Sequence, residues 1–144
     1  MRLPLCLAAT ALALAACTSS TTADTPASPA GPPADGGSYT SPRDIVAKMK
    51  TAGVDCPDYT IIAKPTNARE LANCMDGNLV ISIFETEGDV QANVDMHRET
   101  AKMIDGPVNM LTGRNWSVYY DDPAALQKAK TVLGGTLIAE PAAQ

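Results

Sequence analysis

His97 is the one side chain in this sequence whose ordinary pKa lies near neutrality. Proton transfer at physiological pH would therefore have to use it or a strongly shifted acid. Serines are plentiful, but none stands in a Gly-x-Ser-x-Gly turn that would present a nucleophile above a sheet. Met96, His97 and Met103 lie close in sequence, and two thioethers with an imidazole would suit copper. On a helix, however, both methionines fall roughly 120° from His97, so the three do not converge. His97 shares its register with Val90 and Val94, which predicts a partly buried, hydrogen-bonded histidine at a helix–sheet boundary. The acids have structural explanations. Asp121-Asp122 precedes Pro123 as a cap, and Glu85, Glu87 and Asp89 surround another helix start, where the helix dipole favours negative charge. The glycines fall in turns and caps, not in a phosphate-binding loop. No catalytic residue, no metal site and no cofactor is expected.

The cysteines carry the more specific chemistry. After Met1-Arg2, residues 3–16 are rich in Leu and Ala, too short for a membrane span but suited to a cleaved leader. The leader ends in Leu14-Ala15-Ala16-Cys17, followed by Thr18-Ser19-Ser20-Thr21-Thr22. This stretch resembles the lipobox of bacterial lipoproteins, rather than an ordinary signal peptide cut at an A-x-A site. The resemblance implies a signal peptide over 1–16, a lipid such as palmitate on Cys17, and attachment to the extracytoplasmic side of the cell membrane. Cys6 would leave with the leader. Cys56 and Cys74 remain, and an even pair in an exported domain reads as one disulfide. A loop of that length contributes roughly 3 kcal/mol on the chain-entropy model. The spacing is not Cys-x-x-Cys, so a structural role is expected over a redox one. With Cys17 lipidated and the pair oxidised, no thiol nucleophile is left.

Elements that would position these residues follow from local signals. Residues 17–40 form a tether of Ser, Thr, Pro, Gly and Ala, which buries too little to order itself. A small domain is expected over 41–140, with a tail at 141–144. Ser41-Pro42 starts a helix with Ile45, Val46, Met49 and Ala52 on one side, ended by Gly53. A short strand follows at 59–62. Residues 70–75 and 78–84 form a hairpin about Asp76-Gly77. Thr86 caps a second helix whose inner stripe is Val90, Val94, His97, Ala101 and Ile104. Residues 108–112 and 115–120 make a second hairpin. Asp122-Pro123 opens a third helix with Leu126, Ala129, Val132 and Leu133 buried, and Gly134-Gly135 leads to an edge strand over 136–139. This order predicts an α+β domain: a mainly antiparallel sheet of two hairpins, about three helices packed on one face, and one disulfide. The two strand-pair-plus-helix halves suggest an internal repeat.

Net charge is -5, with Lys and Arg interleaved among the acids, so there is no basic stripe for nucleic acid. A helix ending near Cys56, Cys74 before Leu79-Val80-Ile81-Ser82-Ile83-Phe84, then Gly113-Arg114-Asn115-Trp116-Ser117-Val118 and Leu133-Gly134-Gly135, resembles small exported proteins and lipoproteins of actinobacteria. The resemblance covers residues 42–138, implies the Cys56–Cys74 disulfide and supplies no activity. Function is therefore sought on the surface. Arg114, Trp116, Tyr119 and Tyr120 cluster on or beside the second hairpin and are residue types that anchor interfaces. Trp116, as the sole tryptophan, equally suits the core. The leading expectation is a non-enzymatic, membrane-tethered binding module of the cell envelope, with an envelope protein or ligand as partner. Two other readings are a phage or prophage superinfection-exclusion lipoprotein, and a small envelope enzyme or ligand carrier using His97.

Overall fold

Helix starts fall where the capping residues put them. The computed structural model describes residues 31–74 and 78–142. The leader, Cys17, the Asp76-Gly77 turn and the last two residues lie outside the described residues. Helix α1 (Pro42–Thr51) begins behind Ser41, whose hydroxyl accepts from Arg43 N. Helix α2 (Glu87–Ile104) begins with a reciprocal capping box between Thr86 and Asp89. Helix α3 (Pro123–Leu133) begins behind Asp122, whose carboxylate accepts from Ala124 N and Ala125 N. The strands are β1 (Thr60–Ile61), β2 (Glu70–Cys74), β3 (Leu79–Ile83), β4 (Val108–Thr112), β5 (Trp116–Tyr120) and β6 (Thr136–Glu140). They form one six-stranded sheet in the order β1-β2-β3-β5-β4-β6, antiparallel throughout.

The α+β class, the antiparallel sheet and the helices are as expected, but the helices divide between the two faces instead of sharing one. Successive residues of a strand point to opposite faces. Leu79, Ile81 and Ile83 of β3 and Trp116 and Val118 of β5 face the side covered by α1 and α3, where they pack with Ile45, Met49, Leu126, Ala129 and Leu133. Helix α2 covers the other side, laying Val94 and Ala101 on Val108 and Met110, beside Tyr119 and Ile138. Residues 84–86 join β3 to α2, whereas 121–122 join β5 to α3. The two connections thus differ by one residue. The two hairpins meet at β3 and β5, yet their helices lie on opposite faces, so the halves are not a structural repeat. The stripe of α2 also ends early: Met103 and Ile104, in its last turn, are exposed.

Folding starts before Ser41. Residues 33–40, expected to belong to the tether, run as a strap over the end of the sheet. Trp116 Nε1 donates to the Gly36 carbonyl at 3.1 Å, and Tyr39 meets the indole edge-on at 5.8 Å. The Asn115 side chain brackets Tyr39, accepting from its N–H and donating to its carbonyl, each at 2.9 Å. Gly37 and Ala34 carbonyls accept from Arg114 N and Gly135 N. Glycine is required beneath the strap: a Cβ on Gly134 would strike the Pro33 carbonyl, and one on Gly113 the indole. Cys56 and Cys74 are joined, with their Cα atoms 5.1 Å apart. The bond fastens the chain after α1 to β2.

Candidate functional site

The four side chains expected to form an interaction surface do not form one. Trp116 is fully buried in the main core beneath α1 and α3. Alternation along β5 sends Tyr120 to that same core and Tyr119 to the α2 face, where Tyr119 donates to Asp121 Oδ1. Burial raises the Tyr119 pKa above that of a free phenol, and the Asp121 carboxylate adds to the rise. Arg114 is exposed at the β4–β5 turn. It donates to Glu87 Oε1 at 3.0 Å, with Asp35 Oδ2 at 3.9 Å. Hydrogen bonding to Glu87 raises its pKa further, so it serves as a tie between the strap, the turn and α2.

His97 is half-buried and stacks on the Tyr119 ring, centroids 4.9 Å apart and planes 12° apart. Burial lowers its pKa below the free imidazole value. The expected boundary position is correct, with ring stacking in the role assigned to hydrogen bonding. Among the described residues no group of three His, Cys, Asp or Glu side chains is placed to hold a metal. No described helix is long and apolar enough to cross a membrane.

Helix α2 does not cover its whole face. Beside it lies a cleft of about 590 Å³, walled by residues 66–69 on one side and by Asp89, Asn93 and Met96 of α2 on the other. Beneath this cleft the core turns polar. Ser82, Asn93 and Ser117 are the three buried polar side chains among the described residues. They adjoin one another: Ser82 and Ser117 are cross-strand partners, and Ser117 Oγ donates to Asn93 Oδ1 at 3.0 Å. A buried polar group costs free energy unless it is satisfied. Three such residues in a row, of which Asn93 lines the opening, mark the place where the apolar core is interrupted.

The cleft walls hold their charged groups in place. Arg69 Nη2 donates to the Thr40 carbonyl at 2.8 Å, and Nη1 lies 4.0 Å from Glu85 Oε2. The Arg69 backbone N–H is fixed on Ile83 O. Asp89 is committed to the cap, its Oδ2 accepting from both the backbone N–H and the hydroxyl of Thr86. Asn67 Nδ2 reaches Met96 Sδ at 3.8 Å across the opening. The remaining lining is small or apolar, and Phe84 presents almost no surface. Such a site offers hydrogen bonds beside charges of both signs, Arg69 against Glu85 and Asp89, and no serine or cysteine lines it.

A second groove of about 710 Å³ runs between α2 and strands β4 and β6. Its cations are tied by carboxylates: Arg98 donates to Glu140 Oε1 at 2.7 Å and to Asp95 Oδ1 at 3.3 Å. Hydrogen bonding raises the Arg98 pKa and holds the Glu140 carboxyl below its ordinary value. The Arg98–Glu140 pair fastens α2 to β6.

No family model, curated protein or solved structure matches the chain. Sequence reasoning missed Asn67, Arg69, Ser82, Asn93 and Ser117. One usable signal existed: Asn93 interrupts the stripe between Val90 and Val94, and Ser82 and Ser117 sit mid-strand between apolar residues.

Proposed function

We propose that this protein is a non-enzymatic binding module of the cell envelope, tethered to the membrane through a lipid on Cys17, and that it engages its partner in the cleft between α2 and residues 66–69. The observation that carries the binding site is the contiguous row Ser82, Ser117, Asn93 beneath that cleft. A sheet face that needed only stability would be better served by apolar side chains there. The tether is supported by Leu14-Ala15-Ala16-Cys17 at the end of an apolar leader and by the Ser/Thr/Pro-rich stretch after it.

The experiment is site-specific photocrosslinking in cells with the full chain. A crosslinker at Thr66, exposed on the cleft rim, is compared with one at Gln127, exposed on α3. Adducts from Thr66 and not Gln127 are expected. Equal yields from both positions, or none from Thr66, would sink the cleft as the binding site. Cys17→Ser in the same strain should move the protein out of the membrane fraction, and unchanged partitioning would remove the anchor from the proposal.

A further inference from the structure

The hydrogen-bonding inventory of the cleft limits what it can hold, and this inference rests on the cleft being the binding site. Asn93 is more than nine-tenths buried, at 8 % exposure. Its Oδ1 is occupied by the Ser117 hydroxyl, and its Nδ2 finds no acceptor among the described residues. That nitrogen is not among the sealed, unpaired polar atoms, so it is reached from the cleft that Asn93 lines. It offers N–H donors with nothing to receive them. On the facing wall Asn67 is exposed, and its Oδ1 accepts no hydrogen bond among the described residues. The cleft therefore presents a donor on its floor and an acceptor on its rim. A secondary amide carries the matching pair, a carbonyl for Asn93 and an N–H for Asn67.

Charge and shape narrow the class. Arg69 donates to the Thr40 carbonyl and lies near Glu85, while Asp89 accepts from Thr86, so the lining holds fixed charges of both signs and does not select an ion by a single-sign field. The ring nearest the cleft, Phe84, is 1 % exposed and offers no platform for the C–H face of a sugar. Ala68, Ala92 and Met96 leave room for small apolar substituents beside the amide. We propose that the cleft binds the backbone amide of an extended, uncharged peptide segment with small side chains, Asn93 donating to its carbonyl and Asn67 accepting from its N–H.

The test is an NMR titration of the ¹⁵N-labelled full chain carrying Cys17→Ser, following the side-chain amides of Asn67 and Asn93. The probes are an alanine tripeptide blocked at both ends, the N-acetylglucosamine disaccharide and methyl glucoside. The tripeptide should shift both side-chain amides, and Asn67→Ala, at an exposed position, should weaken it by about tenfold, as expected for one lost hydrogen bond. Asn93→Leu should abolish the shifts, and a native spectrum away from the cleft shows that this variant folds. Shifts from the disaccharide alone would overturn the peptide assignment while leaving the cleft a binding site. Equal shifts from methyl glucoside would overturn amide recognition. No response to the tripeptide overturns the proposal whether or not Thr66 crosslinks in cells.

Discussion

The two faces of the sheet are built to different ends. The face beneath α1 and α3 is closed and apolar. Two helices cover it, the buried side chains of β3 and β5 there are Leu79, Ile81, Ile83, Trp116 and Val118, and the strap seals Trp116 at one end. The face beneath α2 has one helix, and its compact apolar cluster is limited to Val94, Ala101, Val108 and Met110. There the buried row is polar and opens into a cleft. Both faces share the same two central strands, so the contrast lies in what covers them. One side stores the stability that lets the other side be left partly open.

The sharpest way to break this contrast is to remove its largest closed-face side chain. Trp116→Ala should cost about 3–5 kcal/mol, because it empties a fully buried site and also strands the Gly36 carbonyl and the edge contact of Tyr39. Denaturant melts would read this directly, and a loss under about 1 kcal/mol would mean that the strap and Trp116 are marginal to the fold. Next in size is the disulfide, which ties buried Cys74 to the chain that carries the cleft wall. The double variant Cys56→Ala, Cys74→Ala should lose about 3 kcal/mol. Hydrogen exchange should rise most in residues 57–69, where β1 spans only two residues, and least in α3. Uniform loosening of both faces would show that the bond supports the whole fold and not the wall of the cleft.

Local signals were legible in the sequence and long-range ones were not. Ser41, Thr86 and Asp122 announced their helices because a cap is satisfied within three residues. The two hairpins followed from alternation and turn residues, and the cysteine pair from its count and setting. The strap was invisible, because residues 33–40 look like any small, polar linker. Their order comes from Trp116, which lies 80 residues beyond the carbonyl it binds. The same distance effect hid the helix faces, since the side on which a helix packs is set by tertiary contacts that no periodicity reports. The aromatic cluster of β5 misled for a related reason: Tyr119 and Tyr120 are adjacent in sequence and opposed in space. The cleft had no motif at all. Its polar row is assembled from β3, α2 and β5, and only pairing brings Ser82, Asn93 and Ser117 together.

The smallest expected effect sharpens the contrast through pH. His97 belongs to the open face, half-buried against Tyr119, and burial lowers its pKa in the folded chain. The unfolded chain keeps the ordinary value of about 6.5. Between these values the unfolded state binds more protons than the folded one, so stability rises with pH across that window. The contribution of neutral His97 is complete above the unfolded pKa and is lost as pH falls toward the folded one. His97→Phe retains a ring for the stack but cannot titrate. Comparing urea midpoints near pH 7.5 and near pH 5.5, the wild type should lose more stability than the variant on acidification. The interval stays above the range where most carboxylates protonate. Equal losses in the two proteins would mean that His97 is as well solvated folded as unfolded, and that the open face exposes this ring as fully as it exposes the cleft.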